Sequence, residues 1–443
     1  MASAAEQLAA NISWSTFSKA KELQQRILFT LVILIVYRLG TYIPLPGVNP
    51  VELQALVEQA RDGVLGVINM FSGGAIGRMA IFALGIMPYI SASIIMQLMT
   101  TMVPSLEALK KEGESGRKKI NQYTRYGTVI LATLQAYGVA YGIQAQGIAL
   151  DPGPFFTASA VITLVGGTVM LMWLGEQITA RGVGNGISLI IFVGIIAELP
   201  AALAQFFETQ RTSGSAIIVI GVILMAIAVI AFVVFVERAQ RRILIQYPQR
   251  QIGQRVYKGD SSHLPLKVNT AGVIPPIFAS SLLLLPATVA GFQAQGADAG
   301  LIGEITAYLG RGSPLFLALF AGLIIFFCFF YTAIVFNPEE VADNLKKHGG
   351  YVPGVKPGKN TAAYLDFVLT RLTVVGAIYL TLVCLLPELL ISNLGVAFYF
   401  GGTSVLIVVS VTMDTISQVQ SHLLAHQYEG LIKKSKLRGG RRK

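Results

Sequence analysis

The chain has 443 residues, of which 53% are hydrophobic and only 13% are charged, and its formal net charge is +11 at pH 7. Soluble proteins carry about 25% charged residues, so this composition excludes an ordinary water-soluble globular protein. The chain is therefore expected to be a polytopic membrane protein.

Apolar runs with few charges divide the chain into its predicted membrane spans. A spanning helix needs roughly 20 residues, so the shorter runs are expected to extend into the polar residues beside them. The sequence predicts an all-α polytopic membrane protein with ten transmembrane helices in two pseudo-symmetric halves of five, because many transport proteins are built from an inverted repeat. The runs lie at about 27–43, 79–103, 125–143, 156–174, 187–207, 215–236, 272–292, 314–336, 371–387 and 396–413.

The predicted halves cover residues 27–207 and 208–416, between an N-terminal tail at 1–26 and a basic C-terminal tail at 417–443. An even number of spans puts both tails on one side of the membrane. Lys and Arg collect on that side, and such residues mark the cytoplasmic side of membrane proteins. Both termini are therefore predicted to be cytoplasmic. The exceptions among the 34 Lys and Arg residues are Arg38, Arg61, Arg78, Arg211 and Arg311.

The stretch 64–103 combines a piece too short to span with a full apolar run. Residues 64–71 are mostly apolar, and Ser72-Gly73-Gly74 then ends the piece, because paired glycines permit backbone angles that stop a helix. The following run, 79–103, has 25 residues without a charge, and Pro88 is expected to kink it. A half-helix before a span predicts a re-entrant segment that folds back at membrane depth.

Two predicted cytoplasmic loops, 237–271 and 337–370, are long for simple connections, which favours a binding role. The shorter 182–186 segment is glycine-rich, but no Gly-Lys-Ser follows it. It is predicted to be a tight turn that opens the fifth span.

The predicted spans carry almost no ionisable residue at membrane depth. A proton-coupled carrier needs such residues, so their scarcity argues against one and favours a pathway closed by apolar side chains. Ile86 and Ile90 stand four apart and share a helix face, and Ile187 and Ile191 repeat that spacing. Ile277 follows Pro275-Pro276, which predicts a second kink, and Ile407 lies in the tenth span.

The residues also bear on two other classes of protein. A secondary transporter for small solutes stays open as the alternative, although a buried ionisable pair at mid-membrane would be needed to favour it. A membrane-embedded enzyme would need convergent catalytic residues, and the sequence offers neither these nor a nucleotide-binding motif. His422 and His426 stand four apart without a third ligand in sight, so no metal site and no cofactor is predicted.

Eight motifs in order, between about residues 23 and 430, resemble the SecY family, the channel subunits of the bacterial Sec protein translocase. They are Asn69–Gly74, Ala83–Ser93, Lys111–Gly116, Gln122–Gly127, Trp173–Thr179, His263–Asn269, Phe336–Pro338 and Phe398–Ser404.

This resemblance implies a pore-forming subunit, not an enzyme, which moves unfolded secretory polypeptides across the membrane and releases hydrophobic segments sideways into lipid. It implies a plug at about 64–76, including Val64, Ile68, Phe71, Gly73 and Gly74. It also implies a lateral gate with polar contacts at Ser91, Gln135 and Asn269. The apolar pore ring implied by the resemblance comprises Ile86, Ile90, Ile187, Ile191, Ile277 and Ile407.

The resemblance further implies a multi-pass location in the bacterial cytoplasmic (inner) membrane. The implied partners are the SecE and SecG subunits, the SecA ATPase, the ribosome, signal sequences and nascent polypeptides, and membrane lipids. Basic residues of the two long loops would form the docking surface for the ribosome and the motor, because positive side chains attract phosphates. These docking residues are Arg238, Arg241, Arg242, Arg250, Arg255 and Lys356.

Overall fold

The structure is a computed structural model of the full chain. It describes residues 20–53, 69, 72–213, 216–248, 250–252, 255–257, 261–293, 313–394 and 402–439.

Helices dominate the described residues, and the prediction of an all-α polytopic membrane protein is confirmed. In the first half of the chain the helices are α1 (Lys21–Gly40), α2 (Met87–Met102), α3 (Pro104–Lys111), α4 (Glu114–Ala145), α5 (Pro154–Arg181) and α6 (Gly186–Ser213). In the second half they are α7 (Ala216–Arg238), α8 (Ile274–Gln293), α9 (Pro314–Val335), α10 (Pro338–Lys347), α11 (Lys359–Leu394) and α12 (Gly402–Gly439).

Each of the ten predicted apolar runs coincides at least in part with one of these helices. Within the described residues, seven helices are long and apolar enough to cross a membrane, and counting the bent pair α2–α3 as one span makes eight. α4 falls short of the apolar criterion although it has 32 residues, because glutamine, tyrosine and threonine dilute its apolar run. α7 is the most apolar of the seven, and side chains such as Ile223, Leu224 and Phe235 are exposed, as lipid contact requires.

The run 79–103 is not one helix, which corrects the expectation of a span kinked at Pro88. Turns occupy most of the stretch up to Ile86, and α2 begins only at Met87. Pro88 therefore lies in the first turn of α2, where its missing N–H costs no hydrogen bond. The preceding backbone is satisfied elsewhere, since Leu45 N–H donates to the Met79 carbonyl at 2.7 Å and Ile81 N–H donates to the Ile43 carbonyl at 3.0 Å.

The expected kink at Pro275-Pro276 is wrong for the same reason. Both prolines lie in the first turn of α8, which starts at Ile274. By contrast, the predicted turn at 182–186 is confirmed: α5 ends at Arg181, α6 begins at Gly186, and Gly184 between them has a positive φ of 91°.

The chain forms two compact units. The first contains Met1–Ala201, Leu284–Ala307 and Val411–Lys443, and the second contains Ala202–Leu283 and Tyr308–Ser410. In the first unit α4 packs against both α2 and α5 around a core that includes Ala132, Ala136 and Leu164. In the second unit α9 packs against α11.

The second unit also contains β-structure that the sequence analysis did not predict. Strands β1 (Gln240–Gln246) and β4 (Ser261–Lys267) pair antiparallel, and β2 (Arg250–Ile252) and β3 (Arg255–Tyr257) pair between them in sequence. The described part of the loop 237–271 therefore forms two antiparallel strand pairs, which are together called the hairpin here.

Candidate functional site

The segment 72–78, called here the plug root, is tied to the end of α1 by hydrogen bonds to its carbonyl oxygens. Tyr37 donates its hydroxyl to the Ser72 carbonyl at 3.3 Å, and Arg38 Nη1 donates to the Gly73 carbonyl at 2.6 Å. Arg78, at the end of the segment itself, also donates to the Gly73 carbonyl, through Nη2 at 2.9 Å. Since Tyr37 is only 1% exposed, the root is held against a fixed part of the first unit.

The predicted plug residues divide between the plug root and the chain before it. Gly73 and Gly74 lie in the root, and both have positive φ angles, of 66° and 77°. A positive φ does not continue a right-handed helix, so both glycines lie in a turn, as their pairing predicted. Val64, Ile68 and Phe71 lie outside the described residues.

The six predicted ring isoleucines all fall on helices or helix starts. Ile86 is the residue before α2, with Ile90 one turn further on; Ile187 and Ile191 occupy the first turns of α6. These four belong to the first unit, whereas Ile277 on α8 and Ile407 on α12 belong to the second. Ile86, Ile90, Ile191 and Ile407 are buried, and Ile187 and Ile277 are half-buried. Their common role as a ring stays a prediction.

The start of α6 is fixed by side chains distant in sequence. In the turn before it, Val183 N–H donates to Thr30 Oγ1 at 3.1 Å, and Gly184 N–H donates to Gln418 Oε1 at 2.9 Å. These bonds connect the turn to α1 and α12 within the first unit. They fix the helix end that carries Ile187 and Ile191.

The predicted gate residues lie on separate elements. Ser91 on α2 is buried and Gln135 on α4 is half-buried, and these two helices pack together in the first unit. Asn269 belongs to the second unit and is 3% exposed. Its Nδ2 donates to Glu237 Oε1 at 2.7 Å and to the Gly272 carbonyl at 3.0 Å, while its Oδ1 is buried without a partner among the described residues.

The predicted docking arginines lie on the hairpin or beside it. Arg241 and Arg242 are on β1, Arg250 is on β2 and Arg255 is on β3. Arg238, at the end of α7, is exposed, as are Arg241, Arg242 and Lys356. Four of these docking residues, Arg241, Arg242, Arg250 and Arg255, therefore lie on β-strands.

The two long cytoplasmic loops share one small core, called here the loop core. Gln246 N–H donates to the Tyr351 carbonyl at 2.9 Å, and Tyr351 N–H donates to the Gln246 carbonyl at 2.9 Å. Buried side chains from the hairpin and from the second loop then pack with the start of α11. The loop core consists of Ile243, Leu266, Val352, Leu365 and Val368.

The short helix α3, which precedes both long loops in the chain, carries two further basic residues, Lys110 and Lys111. Lys111 Nζ lies 2.8 Å from Glu107 Oε1 on this short, exposed helix. The hydrogen bond from Lys111 lowers the pKa of the Glu107 carboxyl. The α2–α3 pair is bent by 98°, which turns α3 away from the direction of α2.

Sequence reasoning missed several residues that this arrangement uses. It treated Arg38 and Arg78 only as exceptions to the charge distribution, and it did not single out Glu198, which lies 3.8 Å from Arg78. It also did not pair Arg125 with Glu176, which form two hydrogen bonds of 3.0 and 2.7 Å between α4 and α5. The signal was available, because charged residues at the ends of apolar spans usually have a partner or a function.

Many apolar helices of spanning length define a polytopic membrane protein. The sequence profile of the SecY family matches residues 80–416. The chain is 57% identical to the protein translocase subunit SecY of Pseudomonas aeruginosa over 419 residues, which cover 94% of this chain and 95% of that protein.

Two solved structures share the fold. One is a SecY protein whose plug domain is described as stabilising the closed state of the translocation channel and maintaining a membrane seal (TM-score 0.66, 20% identity). The other is Sec61 in the canine ribosome-channel complex from the endoplasmic reticulum (TM-score 0.64, 19% identity). Each covers 90% of this chain and 92% of the solved chain. The chain belongs to the SecY family, and the prediction of a pore-forming translocon subunit is confirmed.

Proposed function

We propose that this chain is the central subunit of a channel that moves unfolded secretory polypeptides across the bacterial cytoplasmic membrane and releases hydrophobic segments into lipid. Its identity of 57% with a protein translocase subunit, over nearly the whole of both chains, carries the proposal. The chain needs no energy-consuming site of its own, because a partner is proposed to supply the driving force.

The constriction is proposed to be the ring of Ile86, Ile90, Ile187, Ile191, Ile277 and Ile407. A channel for proteins has to pass every kind of side chain, so its narrowest part cannot bind polar groups selectively. Aliphatic side chains exclude ions by disfavouring water, yet they make no directional bonds that a passing chain would have to break. The burial of Ile86, Ile90, Ile191 and Ile407 supports this role.

Lateral release is proposed to follow from partition. A hydrophobic segment of about 20 residues is more stable in lipid than in water, so an opening in the channel wall allows it to leave sideways. Ser91, Gln135 and Asn269 are proposed as the polar contacts of that gate. The buried Oδ1 of Asn269, which lacks a partner among the described residues, supports a polar contact at this position.

The segment at about 64–76 is proposed to be the plug that closes the outer side of the pore. The observation in its favour is the plug root, whose glycines and hydrogen bonds hold Ser72 and Gly73 against α1. A plug needs such an attachment, because its remaining part has to return to the same place after each translocation event.

The partners proposed for this chain are SecE and SecG in the membrane, with SecA and the ribosome as alternative sources of driving force. The exposed Arg238, Arg241, Arg242 and Lys356 would dock them. Since the loop core joins both long loops, these charges are presented from one structured platform. The excess of basic residues in these loops also supports cytoplasmic termini in the inner membrane.

A site-specific cross-link tests the pore directly. A photoreactive side chain replaces Ile191, a secretory nascent chain is stalled in the membrane, and the sample is irradiated. The matched control is Ile196 on the same helix, which is 38% exposed and points about 140° away from Ile191. We expect an adduct at position 191 and none at 196.

An adduct at neither position, with cytoplasmic loop positions labelling normally, would contradict the pore geometry. Chains would then dock on this protein without passing through the ring, and the transporter alternative would return.

A further inference from the structure

We propose that Arg38 and Arg78 form a two-arginine clamp on the Gly73 carbonyl, and that this clamp determines how readily the plug root leaves its closed position. The inference rests on the proposed function, because only a plug gives the clamp a role in gating. Arg38 and Arg78 are in this sense positioning residues, since they act on a translocating chain only through the root.

In the clamp, two cationic donors share one neutral acceptor. The Gly73 oxygen accepts from Arg38 Nη1 at 2.6 Å and from Arg78 Nη2 at 2.9 Å. Hydrogen bonds from an ionised donor are roughly twice as strong as those between neutral groups. The clamp joins the end of α1 to the end of the root, so moving the root off α1 breaks the bond from Arg38.

The charges around the clamp favour the closed position. Two guanidinium groups repel each other, and one carboxylate, Glu198, lies 3.8 Å from Arg78. The Tyr42 ring faces both cations, with its centroid 4.3 Å from Arg78 Cζ and 5.3 Å from Arg38 Cζ. The partial negative charge of the Gly73 carbonyl lies between the two cations and offsets their repulsion. Because Arg78 belongs to the root and moves with it, displacement takes the Gly73 oxygen away from Arg38 alone, and the loss of this contact between a cation and a carbonyl dipole penalises the open position.

Glycine is required for this close approach. A Cβ atom at Gly73 would lie 3.0 Å from the Gly194 Cα and 3.1 Å from Arg38 Nη1, and one at Gly74 would collide with Glu198 Oε1. Both residues also have positive φ angles, which side-chain-bearing residues rarely adopt. The backbone can reach both arginines only because neither position carries a side chain.

The root itself is a compact turn that can move as one piece. Asn69 accepts three hydrogen bonds from it: Gly74 N–H donates to the Asn69 carbonyl at 2.8 Å, Ser72 Oγ donates to the same carbonyl at 3.0 Å, and Gly77 N–H donates to Asn69 Oδ1 at 2.8 Å. These bonds join the root to Asn69, three positions before it in the chain, and they survive a displacement that carries both. Opening has to break the bonds between the root and the end of α1, which are those from Tyr37 and Arg38 and the bond that Arg78 Nε donates to the Thr41 carbonyl at 3.3 Å.

Thiol accessibility measures the root position independently of transport. Ser72 is 3% exposed, so Ser72→Cys reports on the root when the full-length complex is held in lipid nanodiscs and treated with a water-soluble maleimide. The two native cysteines, Cys328 and Cys384, are changed to alanine first. Thr168→Cys, at a buried position on α5, reports on general unfolding in parallel.

Arg38→Gln should raise the labelling rate of the introduced thiol at position 72 about tenfold, as expected for the loss of one charge-assisted hydrogen bond. Arg38→Lys keeps the charge but loses the planar fork, and it should give a smaller increase. The matched control is Arg26→Gln on the same helix, which removes only the exposed pair with Glu22 and should leave the rate unchanged.

An unchanged labelling rate at position 72 in Arg38→Gln and Arg38→Lys overturns the clamp. If Arg38→Gln also exposes the thiol introduced at position 168, the variant is unfolded, and Arg38→Lys decides alone.

Ion leak through the same complexes in liposomes separates the clamp from the function it serves. Faster labelling without leak keeps the clamp and contradicts a sealing role for the plug. Unchanged labelling, combined with a leak when residues 64–74 are deleted, contradicts the clamp and keeps the proposed function.

Discussion

The plug root and the loop core are held in place by different kinds of interaction. The root is a glycine turn held on α1 by hydrogen bonds from Tyr37 and Arg38 to backbone oxygens. The loop core consists of buried aliphatic side chains, such as Ile243 and Leu365, and it packs on the antiparallel ladder between β1 and β4. A few charge-assisted bonds can be broken and remade at modest cost, whereas a packed core resists partial opening. The comparison indicates a movable element in the first unit and a fixed platform in the second.

The largest effect is expected in the loop core. Leu365 is fully buried there, and Leu365→Ala should cost about 2–5 kcal/mol through lost burial and the cavity that remains. Hydrogen exchange at the amides of β1 and β4 should accelerate strongly, because the ladder loses its apolar support. The labelling rate of the Ser72→Cys thiol should not change. Accelerated labelling would show that root and loop core are energetically linked, which breaks the comparison.

Gly74→Ala should open the plug root with a somewhat smaller effect. The positive φ of 77° costs a side-chain-bearing residue roughly 1–2 kcal/mol, and the added Cβ forces Glu198 away from Arg78. We expect faster labelling of the Ser72→Cys thiol and a higher ion leak in liposomes. Gly138→Ala on α4, where a Cβ would meet nothing within 4 Å, is the matched control. Equal behaviour of the two variants would contradict the role of this turn.

Lys356→Gln should weaken docking without disturbing the platform. Lys356 is exposed beside the loop core, so its loss removes a positive charge but no packing. Ribosome affinity should fall modestly, and the dependence of the logarithm of the affinity on the logarithm of salt concentration should become shallower by about one unit. A change in hydrogen exchange of the hairpin would show that the residue is structural instead.

Glu198→Gln should have the smallest effect. The Arg78–Glu198 pair is 3.8 Å long and its side chains are 37% and 29% exposed, so solvent screening limits its worth to less than about 1 kcal/mol. Without this carboxylate, two cations share one carbonyl oxygen. Labelling of the Ser72→Cys thiol should rise slightly and become more sensitive to salt. A large effect would mean that this ion pair, and not the carbonyl, holds Arg78.

Much of the fold could be predicted because a membrane-spanning helix needs only about 20 consecutive apolar residues, which are visible in the sequence. Each of the ten apolar runs coincides with a helix, and the turn at 182–186 lies where its glycines indicated. The prolines misled, since Pro88 and Pro275 start helices that were expected to bend. A proline has the same sequence signature in both roles, and the hydrogen bonds of the preceding backbone decide between them.

The hairpin could have been found and was not. Leu264 and Leu266 alternate with His263 and Pro265, which is the period of a half-buried strand. In β1 the sequence has a continuous apolar run, Ile243 to Ile245, and the alternation appears only in the burial of Ile243 and Ile245 and the exposure of Arg242 and Leu244. The basic residues of this loop were interpreted as a sign of membrane topology and docking, and the strand period was not used.

By itself the sequence determined the class of protein, the helical spans and the stop at Gly73-Gly74, because apolar length, charge placement and glycine are local properties of the chain. Only the tertiary structure decided that Arg38 meets the Gly73 carbonyl, 35 positions away, and that two long loops share one core. An arginine at the end of a span can turn to solvent, to lipid head groups or to a carbonyl. Which of these it meets depends on how the backbone between them folds.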